Sequence, residues 1–278
     1  CINHKANRLI YCGDSSKFEQ FFAKLDSLAL WGEGNINILH IGGSHIQAGV
    51  FPNRMRTNFA NIQPGFAASR GAIFPYTAAR TNNPKNYSVS YSGEWKKCQN
   101  SRPPITETLG LMGYTISTNN TQSSITVNLN PEEFGSNWKY NKLRLLATVG
   151  DPDLMPILIV GDDTIPSVYE DSSFIFRLNV LAESGTIALG YVKEFDRLLN
   201  KYNSSIQSVD SLFTEENMDS LATDSIYSLE IGLESDNGLC AENSQHSATG
   251  EYKFSIMGLL PENDFNGITY HSMGVNGA

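Results

Sequence analysis

Between residues 84 and 261 apolar and polar residues alternate, one for one, in run after run. Ile125, Val127 and Leu129 alternate with Thr126 and Asn128, and Phe174, Phe176, Leu178 and Val180 with Arg177 and Asn179. Tyr227, Leu229, Ile231 and Leu233 alternate with Ser228, Glu230 and Glu234, and Tyr252, Phe254 and Ile256 repeat the pattern. A period of two sends successive side chains to opposite faces of a strand, which a helix of 3.6 residues per turn cannot do. KLRLLATV (142–149) and PILIVG (156–161) add strands, and the turn-forming clusters GDPD (150–153), GDD (161–163) and SDNG (235–238) separate several of them. Many short strands with turns between them predict a β-sandwich or jelly roll. Residues 194–202, EFDRLLNKY, read as one short helix.

The flanks read differently. In SKFEQFFAKLDSLALW (16–31), Phe18, Phe21, Phe22, Leu25 and Leu28 fall on one helical stripe, with Asp14 or Ser15 as the N-cap. INILHI (36–41) is a short apolar run bounded by glycines, which predicts a parallel strand covered on both faces. Residues 45–60 read as a second helix that Pro52 delays or bends. After Pro261, GITYHS (267–272) reads as another strand. The expected fold class is therefore α/β: a discontinuous domain of residues 1–83 and 262–278, interrupted by an all-β sandwich, jelly-roll-like, over residues 84–261.

Composition narrows the partners. Apolar residues make up 40 % of the 278 and charged residues 18 %, enough for a large ordered core. A net charge of −9 with scattered Lys and Arg argues against nucleic acid, whose phosphates need clustered cations. No apolar run approaches the roughly 20 residues of a membrane-spanning helix. Cys1, Cys12, Cys98 and Cys240 stand at no metal-binding spacing, so no zinc site is expected. A Cys98–Cys240 disulfide in an oxidising compartment and free buried thiols both fit. The chain opens on Cys1 without an initiator methionine or a signal peptide. It reads as a trimmed segment, or as a processed lipoprotein with its lipid on Cys1.

The segment HIGGSHIQAG (40–49) leaves a strand through two glycines into Ser44 and a helix-like stretch. A serine hydroxyl becomes a nucleophile only when a base takes its proton and donors hold the oxyanion. A strand-to-helix turn supplies part of this, because free N–H groups cluster where the helix starts. A plain glycine-rich turn has the same pattern.

ILHIGGSHIQAG (38–49) resembles the first block of the SGNH (GDSL-type) hydrolases. With RGAIFPYTAARTNNPKNY (70–87) and GITYHSMGVNGA (267–278), it is similar to a bacterial envelope branch that includes peptidoglycan O-acetylesterases. In some members of that branch a carbohydrate-binding-module-like β-domain is inserted after the first block. The resemblance implies an incomplete flavodoxin-like hydrolase domain. Ser44 matches its nucleophile, the Ser44 N–H one oxyanion donor and Gly277 the next. The family's asparagine donor and its Asp-x-x-His block have no match here, which implies that the base and its orienter stand outside these 278 residues. Glycine occupies position 43, where the family carries an aspartate that steadies the nucleophile loop. PENDFNG (261–267) superficially resembles a Gly-x-Asn-Asp block but reads as a turn.

The remaining candidates each have a functional and a plainer reading. His45 lines the cleft or steadies the turn, and Asn82 and Asn83 contact a polar substrate or open the Asn-Pro turn. His40 and His271 read as packed strand residues, and His246 as a loop residue. Trp95, Trp138, Tyr140 and Tyr191 form sugar-stacking surfaces or core. The implied function is a serine ester hydrolase acting on an acylated polysaccharide or peptidoglycan, exported to the periplasm or cell envelope, with no cofactor or metal. The alternative is a non-catalytic glycan-binding protein with a degenerate hydrolase domain.

Overall fold

A computed structural model describes residues 13–134, 136–195 and 254–277. The alternating run at 227–233, most of the expected helix at 194–202, and Cys1, Cys12, Cys240, His246 and Tyr252 lie outside the described residues.

The chain enters through α1 (Ser16–Trp31), β1 (Asn35–Gly42), the single turn α2 (Ser44–Gln47) and α3 (Val50–Ala60). There follow β2 (Ser88–Ser92), β3 (Lys96–Gln99), β4 (Tyr114–Thr118), β5 (Ser124–Asn128), β6 (Tyr140–Val149) and β7 (Leu154–Val160). Next come β8 (Asp163–Pro166), β9 (Val168–Glu170), β10 (Ser173–Ala182), β11 (Ser184–Tyr191), β12 (Phe254–Glu262) and β13 (Gly267–Gly274). One sheet runs β3-β4-β12-β6-β10-β9 and a second β2-β5-β11-β7-β8, and every pairing in both is antiparallel. Their inward positions share one core, in which Ile116, Ile125, Leu145, Leu158, Phe176 and Phe254 are completely buried.

The expected α/β, flavodoxin-like frame is overturned. Strand outweighs helix by 43 % to 18 % of the described residues. Among the described residues parallel ladder pairing is confined to the two-stranded sheet of β1 and β13, in register from Asn35↔Gly267 to Gly42↔Gly274, and an isolated bridge from Ala67 to Ile268. Nor do the described residues cover β1 on both faces. Ile36 packs with Leu28, Phe66 and Ile268, while Leu39 and Ile41 on the opposite face are 57 % and 70 % exposed. An apolar run fixes that a strand forms, not that something lies on each side of it.

Local rules account for the helices. Asp14, beside the N-terminus of α1, accepts the Ser16 N–H at 2.9 Å and the Ser16 hydroxyl at 2.6 Å, which holds its carboxyl below the ordinary value. Of the predicted stripe only Leu28 is fully buried; Phe18, Phe21 and Phe22 remain exposed. The expected helix at 45–60 divides at Gly49, whose φ of +78° suits glycine. Pro52 then sits in the first turn of α3, where its missing N–H leaves no hydrogen bond unmade.

The segment joining α3 to β2 is buried for most of its length. Ala72, Ile73, Phe74, Tyr76, Ala78 and Ala79 are each at most 3 % exposed. Buried loop backbone needs partners. Ile73 exchanges two 2.9 Å hydrogen bonds with Leu259 of β12, and the Tyr87 hydroxyl donates to the Phe74 carbonyl at 2.6 Å. Gly71, at φ +84°, lies so close to β13 that a Cβ there would be 2.5 Å from the Tyr270 carbonyl oxygen. This segment thereby links the parallel pair to the six-stranded sheet.

Candidate active site

Ser44 opens α2 directly beyond the carboxyl end of β1, with Gly43 as the extended N-cap residue (φ −82°, ψ −151°). Ser44 and His45 are both exposed. Among the described residues no histidine hydrogen-bonds the Ser44 hydroxyl. His40 pairs through Nδ1 with the Tyr270 hydroxyl and meets the Phe51 ring edge-on. His271 accepts the Ala72 N–H on Nδ1 at 3.2 Å and lies 3.2 Å from Asn37 Oδ1 through Nε2. The accepted N–H fixes the proton on Nε2, so the ring is a neutral structural link. Burial, then Arg56, holds its pKa below the ordinary value.

What holds the Ser44 turn is Gln47, three residues on and 1 % exposed. Its Oε1 accepts the Asn276 N–H at 2.6 Å and the Tyr114 hydroxyl at 3.4 Å. Its Nε2 donates to the Asn82 carbonyl at 3.0 Å and the Thr81 hydroxyl at 3.4 Å. Asn276 continues the network, donating to Thr81 Oγ1 at 3.1 Å and accepting on its carbonyl from Gln99 Nε2 at 2.7 Å and Ser101 Oγ at 3.0 Å. Val275 donates to the Gly42 carbonyl at 3.2 Å. One buried amide thus ties the Ser44 turn to the segment carrying Gly277 and to the Thr81–Asn82 turn. Gly277 itself has φ +77°, a conformation that suits glycine.

Asn82 contributes its carbonyl to this network, and its side chain is exposed. Asn83 is inward and structural: its Nδ2 donates to the Pro84 and Tyr87 carbonyls at 2.8 and 2.9 Å. The structure therefore brings Ser44, Asn82 and the 274–277 segment to one corner and assigns Asn83 to the turn. Asn263 of PENDFNG sits in the β12–β13 connection, donating to the Ala68 and Lys139 carbonyls. Trp95 and Tyr140 are core residues, 4 % and 3 % exposed, Trp138 packs against the core, and Tyr191 is 51 % exposed. Cys98 is buried.

Behind the corner lie two buried arginines that the sequence analysis did not single out. Arg56 of α3 donates to the Arg70 carbonyl at 2.8 Å, to the Tyr270 carbonyl at 2.9 Å and to the Ser272 hydroxyl at 2.9 Å. Arg70 donates to Asn86 Oδ1 at 2.8 Å and stacks 4.2 Å from the Tyr87 ring centroid. Among the described residues neither forms an ion pair with a carboxylate. Burial depresses both guanidinium pKa values, that of Arg70 to about 10, and pushes the Tyr87 phenol up to about 12. These cations act as hydrogen-bonding braces for the end of β13. The only signal in the sequence was Arg70 opening the RGAIFPY motif.

No group of three or more His, Cys, Asp or Glu among the described residues could hold a metal ion, and no helix there is long and apolar enough to cross a membrane. No family model matches the chain, and no curated protein matches it. Among solved structures it is similar to a peptidoglycan O-acetylesterase, with a TM-score of 0.52 and 17 % sequence identity over 93 % of this chain and 52 % of that one. The chain therefore spans about half the length of that enzyme, and at this identity what the two share is the fold.

Proposed function

We propose that this chain is part of a serine ester hydrolase that removes acyl groups from a cell-envelope glycan, with Ser44 as its nucleophile. The observation that carries this reading is the exposed Ser44 at a strand-to-helix corner clamped through Gln47 to the Gly277 segment, in a fold shared with a peptidoglycan O-acetylesterase. In this reading residues 84–261 are a β-sandwich inserted into a discontinuous unit of residues 1–83 and 262–278, and the protein works in the envelope.

Ser44 Oγ attacks the ester carbonyl carbon and its proton passes to a base. The N–H groups of Ser44 and Gly277 hold the tetrahedral oxyanion, whose collapse expels the glycan alcohol. Water then hydrolyses the acyl-serine and releases the free acid. None of the described histidines hydrogen-bonds Ser44, so in this reading the base comes from outside the described residues, and turnover without it is slow. A site without its base retains about 10³–10⁴-fold over water.

The test supplies the base from solution. Acetate release from O-acetylated peptidoglycan is followed with and without added imidazole, for the chain and for Ser44→Ala. Imidazole-dependent release that falls at least about 10²-fold in Ser44→Ala supports the reading. Release that is identical in the two proteins sinks it. A non-catalytic glycan-binding protein would show no release from either.

A further inference from the structure

An open groove of about 780 Å³ runs along the β3–β4 edge of the six-stranded sheet and is walled on its other side by residues 78–80. It is a polar groove. Trp95 lies beneath it with its ring buried and its indole N–H donated to the Ser92 carbonyl, so it offers no stacking face. The charged lining is Arg80, Lys96 and Lys97 against Glu94 and Glu107. Glu107 accepts the Ser117 hydroxyl on Oε1 at 2.7 Å, while its buried Oε2 has no hydrogen-bond partner among the described residues. Arg102 acts on Lys97 from just outside the groove; partial burial, then Arg102 and Arg80, lower the Lys97 pKa. Arg80, Lys97 and Arg102 are in no ion pair among the described residues. In a chain of net charge −9, three cations crowded together with no ion pair among the described residues mark a local positive field beside Glu94 and Glu107.

The groove adjoins the Ser44 corner through the backbone. Arg80 directly precedes Thr81, which bonds Gln47 and Asn276. On β3, Lys97 lies two residues before Gln99, which donates to the Asn276 carbonyl. Arg80 itself sits at φ +53°, a left-handed conformation that non-glycine residues adopt only at an energetic cost. Its position is thus imposed by the buried segment behind it.

We propose that this groove is a subsite for a carboxylate-bearing glycan, with Arg80 and Lys97 as the cations that receive the carboxylate. The subsite rests on the reading of Ser44 as the nucleophile: a chain deacylated at the corner continues into the groove, and its carboxylates set the register. Two sources carry this chemistry, the stem peptides of peptidoglycan and the uronate units of acidic polysaccharides.

Binding is measured by calorimetry on the full chain carrying Ser44→Ala, so that no turnover is required. The probes are soluble peptidoglycan strands, the same strands with carboxylates amidated by carbodiimide, hexagalacturonate, and neutral chitohexaose. We expect native strands or hexagalacturonate to bind at least about tenfold more tightly than the amidated or neutral probe, with the preference shrinking as salt is raised. Which of the two binds identifies the source. Arg80→Asn, which tolerates the left-handed backbone, combined with Lys97→Gln removes the preference, whereas Lys97→Arg retains it. Equal binding of charged and neutral probes, or a preference unchanged in the folded double variant, overturns the subsite. Acetate release by the chain with native Ser44 tests the nucleophile separately, so either reading can fail alone.

Discussion

The side-chain oxygen of Gln47, a residue only 1 % exposed, accepts the backbone N–H of Asn276 across 229 positions of sequence at 2.6 Å. This bond and the amide's other partners decide whether the Ser44 turn and the Gly277 segment share one rigid frame. Gln47→Ala strands the Asn276 N–H and the Asn82 carbonyl together. We expect a loss of about 1–3 kcal/mol in urea unfolding at an unchanged m-value. A loss below about 0.5 kcal/mol would show that the network is ornamental.

How much of this was legible beforehand follows from the range of each interaction. Alternation at 125–129 and 174–180 reports β5 and β10, because a period of two is written locally. SVSYS alternates too, but with only Val89 and Tyr91 as its apolar residues, and KKCQ does not alternate; both escaped notice: β2 is mostly exposed, and β3 has only Cys98 and Gln99 buried. Ser44 was visible because its turn is contiguous. Gln47 was not: its partners include backbone groups 35 and 229 residues away, and backbone groups leave no letter in a sequence. The α/β expectation failed for a related reason. Apolar content identified β1, but the sheet's extent depends on pairings that no single segment encodes.

Gly274 ends β13 where α2 crosses it. A Cβ built there would lie 2.1 Å from the Gln47 nitrogen, and that atom belongs to backbone that cannot swing aside. Gly274→Ala should therefore cost at least about 1–3 kcal/mol, as overpacking does. Gly258→Ala is the control, since its Cβ would meet Leu146 Cδ1 at an ordinary 3.8 Å. Equal melting shifts for the two variants would refute the close approach of β13 to α2.

His271 makes stability depend on acid. Its folded pKa lies below the unfolded value of 6.5, because burial and Arg56 oppose the imidazolium. Below pH 6.5 the unfolded chain takes up a proton that the folded chain refuses, so stability is full above that pH and is lost as pH falls from 6.5 through the folded pKa. Urea midpoints at pH 7.5 and 5 should differ more for the native protein than for His271→Gln. A difference that is the same in both assigns the acid sensitivity to other groups.

Gly43 is the N-cap of α2, and its φ of −82° is open to any residue. Asp there can accept an N–H from the first turn and thereby restrict the backbone around Ser44. Because glycine is already a tolerated cap, the expected stabilisation is only a few tenths of a kcal/mol. The effect on rate should be larger, since misplacing a nucleophile by about 1 Å costs on the order of a hundredfold. Gly43→Asp should therefore raise imidazole-assisted acetate release by more than its stability gain predicts, with Ser44→Ala still abolishing it. If instead turnover tracks stability alone, or falls, glycine already holds Ser44 as well as aspartate can.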